Sequence, residues 1–262
     1  MDPVPRPILI QNISLTLHRW PIHLPDPYDH LRPPSQHSSM KHPKWGFWLF
    51  LVAFYAFWIL RATWFYSWAD LSIPDPTWRM VFSDGVKFAL WVVPAAVFVV
   101  WHDRQNPLKT MKVTTRMDPR GLLIGLGVSL GYFACQLLFA FFSAHQTLGP
   151  LLRAAPLTIL GTLGDKFFSP ICEELFFRGF VLPSLDQNMP FWPANLLQAV
   201  LFTAIHWPNW LWMSGLQVGR VATSLSILLL GLFFGWLTRR TNSVWPAVAM
   251  HILNNFIAAF LG

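Results

Sequence analysis

The sequence predicts an all-α, polytopic membrane bundle of about seven to eight transmembrane helices. Three observations carry that prediction: charge is missing over stretches of about twenty residues, only 12% of the 262 residues are charged while 54% are hydrophobic, and there are 15 tryptophans. A soluble domain of this length needs far more charge to cover its surface. The mean hydropathy of +0.42 agrees. A helix takes roughly 20 residues, at a rise of about 1.5 Å each, to cross about 30 Å of hydrocarbon, so lipid is the expected solvent for most of the chain.

Residues 1–45 differ from the rest. They are rich in Pro and His, have little continuous apolar length, and read as an irregular tail. No apolar segment of signal-peptide type lies near Met1. Residues 46–262 read as a membrane-embedded helical domain, with the chemistry-bearing core at about 157–262. Within it seven apolar runs follow one another: Trp45–Thr63, Val86–Trp101, Gly121–Phe142, Leu157–Leu182, Trp192–His206, Val221–Leu237 and Val244–Leu261. Trp192–His206 is too short to span, so it must continue into Trp207–Met213 or be shielded by protein. Three glycine pairs, Gly121/Gly125, Gly127/Gly131 and Gly231/Gly235, have the four-residue spacing that lets helix backbones approach.

The formal charge of +7 sits in the tail and in short loops, not in a patch that would suit nucleic acid. Arg6, Arg19, Arg32, Lys41, Lys44, Arg104, Lys109, Lys112, Arg116, Arg120, Arg239 and Arg240 fall on one side of the alternating spans. Arg61, Arg79, Arg153 and Arg220 fall on the other. That asymmetry predicts a multi-pass integral membrane protein with a cytoplasmic tail. Both cysteines, Cys135 and Cys172, lie inside apolar runs and read as buried thiols.

The chain has only two glutamates, Glu173 and Glu174, adjacent and inside the fourth apolar run. A carboxylate at the centre of a membrane helix costs about 2.5–3.5 kcal/mol on insertion scales, so such residues usually face a protein interior and serve it. Glu174 and Arg178 are one helical turn apart and are expected to pair. Glu173, about 100° round the helix, then faces a different neighbour. On these residues alone, a purely structural ion cluster remains open.

Histidines narrow the choice. Of nine, only His206 and His251 have apolar surroundings, and Asn255 follows His251 by one helical turn on the same face. If spans four, five and seven end on a shared side near Pro183, Pro193 and Val244, helical rise puts Glu173, His206, His251 and Asn255 roughly 10–20 Å from it. All four can then meet near the midplane.

Together, Glu-Glu-x-x-x-Arg at 173–178, Phe-x-x-x-His at Phe202 and His206, and His-x-x-x-Asn at His251 and Asn255 resemble the CPBP family of CAAX-processing and bacteriocin-related membrane proteases, also called the Abi family. The resemblance runs from about Gly164 to the carboxy terminus and leaves residues 1–150 unconstrained. It implies a glutamate-type intramembrane endopeptidase acting on a membrane-anchored or lipid-modified protein or peptide, with membrane lipid as its other partner and no cofactor. Carried over, Glu173 and His206 activate water, His251 and Asn255 stabilise the oxyanion, and Glu174 and Arg178 support the site. Amide hydrolysis needs such a base and such donors.

Three alternatives stay open on the sequence. A zinc protease could use the same glutamate and histidines, although no His-Glu-x-x-His helix is present. Cys172 could be a nucleophile, but it points about 100° away from Glu173 on the same helix. A membrane immunity or scaffold protein could keep the polar cluster without catalysis.

Overall fold

The structure is a computed structural model that describes residues 45–116, 118–144 and 163–261. All lie in Ser38–Gly262, one of the two units into which the chain divides. Apart from Trp45, the Pro/His-rich tail is outside the described residues, as is the start of the fourth apolar run at Leu157.

Among the described residues every regular element is helical. Helix α1 (Trp45–Leu60) runs through a π-helical turn, Arg61–Phe65, into α2 (Tyr66–Ser72). Then come α3 (Pro76–Trp101), the single turn α4 (Pro107–Thr110) and α5 (Pro119–Ala144). The fourth run is a segmented helix: a π turn at Leu163–Phe168, α6 (Ser169–Phe176), a second π turn at Phe177–Val181, and α7 (Leu182–Asp186). Helices α8 (Phe191–Ala204), α9 (Trp207–Ser214), α10 (Val218–Thr241) and α11 (Trp245–Leu261) complete the chain.

The seven apolar runs are helical where they are described, apart from the turn at Ile205–His206 and the bend at Val244. Three helical stretches are long and apolar enough to cross a membrane: Trp45–Ser72, Pro76–Trp101 and Val218–Thr241. Pro119–Cys135 is apolar but shorter. Local chemistry accounts for the broken helices. Pro170 and Pro183 have no N–H to donate, and their rings would crowd the carbonyls of Lys166 and Gly179 four residues back. Each proline is the second residue after a π turn, whose wider ring takes up the misfit.

Helix α8 has 14 residues, about 21 Å of rise, and the chain does continue after a turn at Ile205–His206 into α9. Helix α1 braces that break. Tyr55 Oη donates to the Leu201 carbonyl at 2.5 Å, and Trp58 Nε1 donates to the Ile205 carbonyl at 2.7 Å. Two donors in apolar surroundings thus reach carbonyls beside an interrupted helix, where an unpaired group would be costly.

Aromatic packing joins α1 and α3 to the motif helix. Trp91 is fully buried, with ring contacts to Phe54, Trp58, Phe176 and Phe177, and Phe54 stacks on Phe176 at 4.1 Å. The aromatic content therefore holds helices together as well as facing lipid. Two of the three glycine pairs sit at real close approaches. A Cβ at Gly235 would collide with Asn195 Oδ1, one at Gly231 would lie 3.0 Å from Ala199 Cβ, and one at Gly121 would strike Thr241. Gly127 and Gly131 face open space.

Three connections gather at one end of the bundle. Val244 N–H donates to the Lys112 carbonyl at 3.3 Å, Trp245 Nε1 donates to the Val113 carbonyl at 2.8 Å, and Arg239 pairs with Asp186 at 3.0 Å. The end of α7, the end of α10 and the start of α11 thus each make a long-range contact in this part of the chain.

Candidate active site

The two glutamates of α6 diverge as adjacent helical positions must. Glu174 is fully buried and accepts from Arg178 Nη1 at 2.9 Å, the expected pairing across one turn. Its Oε1 also meets His251 Nδ1 at 2.7 Å. Glu173 is 8% exposed and turns towards α3, where Lys87 Nζ donates to its Oε1 at 2.5 Å. Ser169 Oγ, one turn earlier on α6, donates to the same oxygen at 2.9 Å. The other oxygen, Oε2, lies 3.8 Å from His251 Nε2, near enough to feel its charge and too far for a direct hydrogen bond.

His251, on α11, is thus placed between both carboxylates, and Phe234 stacks against its ring at 5.5 Å. Its Nδ1 carries a proton towards Glu174, which leaves Nε2 facing Glu173. His206, at the junction of α8 and α9, is half-buried, and its Nδ1 lies 3.1 Å from the Phe202 carbonyl. A carbonyl only accepts, so Nδ1 is the protonated nitrogen and Nε2 is the one left to accept. Phe202 touches both imidazoles edge-on, His206 at 5.4 Å and His251 at 5.9 Å. Asn255 is half-buried one turn beyond His251 on α11.

Arg178 lies in the π turn Phe177–Val181 and is fully buried. Its guanidinium sits over the Phe202 ring at 4.3 Å and donates to the Gly231 carbonyl at 3.3 Å. Gln198 Nε2 donates to that same carbonyl at 3.0 Å, and Asn195 Nδ2 to the Leu232 carbonyl at 2.9 Å. The close approach at Gly231 and Gly235 is what exposes these carbonyls to side chains of α8. Arg178 therefore links the helix pair α8/α10 to Glu174, and through Glu174 to His251.

Of the six residues expected from the sequence, Glu173, Glu174, Arg178 and His251 form one contacting cluster, His206 shares the Phe202 ring with His251, and Asn255 lies one turn beyond His251. Lys87 and Ser169, which also touch Glu173, were not among those expected. A signal for Lys87 existed: it is a lone charge in the second apolar run, subject to the same cost that singled out the glutamates. Ser169 is one turn before Glu173. Cys172 is fully buried in the apolar cluster with Trp91 and Phe176. Among the described residues no three His, Cys, Asp or Glu side chains form a metal-ligating group.

Residues 155–257 match the sequence family described as type II CAAX prenyl endopeptidase Rce1-like. The "Putative membrane peptidase YdiL" of Bacillus subtilis (strain 168) is 24% identical over 110 residues, which cover 42% of this chain and 39% of that protein. The match thus spans about two fifths of that relative's length. No solved structure matches the chain. The three long apolar helices mark an integral membrane protein, and its carboxy-terminal region, which holds all six residues singled out for the site, is Rce1-like in sequence.

Proposed function

We propose that this protein is an intramembrane endopeptidase that hydrolyses a peptide bond of a membrane-anchored or lipid-modified protein or peptide. The observation that carries the proposal is the split environment of Glu173. One carboxylate oxygen is held by Lys87 and Ser169, and the other faces His251 inside a buried cluster.

In this reading Glu173 Oε2 and His206 Nε2 take up the attacking water, and Glu173 accepts its proton as the oxygen bonds to the scissile carbonyl carbon. The carbonyl oxygen gains the negative charge and is met by His251 Nε2–H and the Asn255 amide, each donor contributing about 3–4 kcal/mol to the transition state. For that task His251 carries protons on both ring nitrogens, and Glu174 at 2.7 Å from Nδ1 stabilises the cation. Collapse of the tetrahedral intermediate breaks the C–N bond, and the proton on Glu173 passes to the leaving amine. No step requires a metal ion, and cleavage that persists in a strong chelator is expected.

The Rce1-like match makes peptides with a prenylated carboxy-terminal cysteine motif the first substrates to try. The bundle in this reading makes seven to eight passes, with the end that gathers Lys112, Asp186 and Arg239 on the cytoplasmic side. The test is cleavage of a lipid-anchored peptide by purified protein in liposomes, comparing wild type with Glu173→Gln and His206→Ala. Both variants are expected to lose cleavage. Equal cleavage by all three would defeat the catalytic assignment of Glu173 and His206, and no cleavage by any of the three across lipidated substrates would favour a binding or scaffold role.

A further inference from the structure

Lys87 lies on α3, outside the Rce1-like region, and yet it makes the shortest polar contact of the glutamate read as the base. Its Nζ donates to Glu173 Oε1 at 2.5 Å and also contacts Ser169 Oγ. The side chain is only 7% exposed, and the ammonium stands over the Trp91 ring at 4.8 Å and the Trp58 ring at 5.9 Å. A lysine inside an apolar helix is costly unless paired. Here the carboxylate and two aromatic faces offset that cost.

Resting on the endopeptidase reading, we propose that Lys87 is a positioning residue: it clamps Glu173 by one oxygen and so leaves Oε2 alone to face His251 and the attacking water. Two donors on Oε1, Lys87 and Ser169, fix the rotation of the carboxylate about its own axis. The fixed cation also supports a negative charge that burial otherwise disfavours. Glu174 is placed differently: its Oε1 is committed to Arg178 and His251, and its Oε2 is fully buried with no hydrogen-bond partner among the described residues, whereas Glu173 Oε2 faces His251 Nε2 at 3.8 Å. The amino-terminal helices therefore complete a site whose remaining members all come from residues 169–255. The contact between Lys87 and Ser169 has the composition of a serine–lysine dyad. A lysine that donates to a carboxylate is not free to act as a base, however, so Ser169 serves here as a second donor.

The test uses the full chain in liposomes with a lipid-anchored peptide, comparing wild type, K87M, K87R, S169A, E173Q and the double variant K87M/E173Q. Folded protein is measured for each by thermal unfolding. Misplacing a catalytic group by about 1 Å costs on the order of 100-fold. K87M is therefore expected to lower kcat roughly 100-fold with KM within about threefold, K87R to recover at least about tenfold of that loss, and S169A to lose less than about tenfold. K87M added to E173Q should cost nothing more. Cleavage by K87M within about threefold of wild type, with E173Q inactive, would overturn the clamp while leaving the endopeptidase reading intact. So would a kcat loss that only tracks lost folded protein and is not recovered by K87R. A loss in S169A as deep as in E173Q would overturn it by making Ser169 the nucleophile. Equal cleavage by wild type and E173Q would remove the clamp together with the assignment of Glu173 as the base, and no cleavage by wild type would remove the endopeptidase reading itself.

Discussion

Glu173 is paired with a lysine 86 residues earlier in the chain, whereas Glu174 is paired within its own helix to Arg178 and across the bundle to His251. The two environments also differ in what they leave over. Glu174 Oε1 takes both donors in a fully buried setting and its Oε2 is buried with no hydrogen-bond partner among the described residues, so in the proposed reading Glu174 holds Arg178 and orients an imidazole. Glu173 keeps one oxygen turned towards the histidines. On that reading, one step along a helix thus separates a structural carboxylate from a reactive one, and the helices packed on either side make the separation: α3 on one flank, α8, α10 and α11 on the other.

That contrast can be broken at His206, where the largest effect is expected. His206→Ala should lower kcat by on the order of 10²–10⁴ with little change in unfolding temperature, because the ring is half-buried and hydrogen-bonds to a backbone carbonyl of its own helix, that of Phe202. Steady-state cleavage beside thermal unfolding in the same detergent checks it. The Glu174 side should respond in the opposite way. Arg178→Met leaves a fully buried carboxylate without its guanidinium and is expected to cost about 3–5 kcal/mol of stability, read as a lowered unfolding temperature before any kinetic defect is assigned.

Smaller effects sharpen the comparison at the scaffold. Gly235→Ala should cost about 1–3 kcal/mol, because its methyl group collides with Asn195 Oδ1 on α8. Gly127→Ala, at a glycine that faces open space, should stay within about 0.5 kcal/mol. Smallest of all on catalysis is Cys172→Ala: with the thiol packed in the apolar cluster, kcat should hold within about twofold of wild type, and a loss comparable to that of His206→Ala would move the nucleophile to Cys172.

Much of this site was legible in the sequence because intramembrane charge is scarce. Two glutamates in 262 residues, one arginine a turn away and two isolated histidines leave few ways to combine. The Glu174–Arg178 pair followed from helical spacing, and so did the continuation of the short fifth run past His206. Lys87 stands out as a lone charge in the second apolar run, but nothing local shows what it pairs with. Its partner is distant in sequence, and only the packing of Trp91 and Trp58 against α6 brings the two together. The segmentation of the fourth run was hidden for a related reason: Pro170 and Pro183 announce a disturbance, but its form as π turns depends on what the carbonyls nearby can reach. Glycine spacing alone likewise could not separate the packed pair Gly231/Gly235 from the unpacked pair Gly127/Gly131.

The measurement that bears most directly on the account is the rate at which folded Glu173→Gln protein, reconstituted in liposomes and treated with chelator, cleaves a lipidated peptide that chelator-treated wild type cleaves. An amide in place of the carboxylate keeps an oxygen for Lys87 and Ser169 but removes the proton acceptor. The rate should drop by at least about 1000-fold. A variant that cleaves as fast as wild type would contradict the assignment of Glu173 as the base.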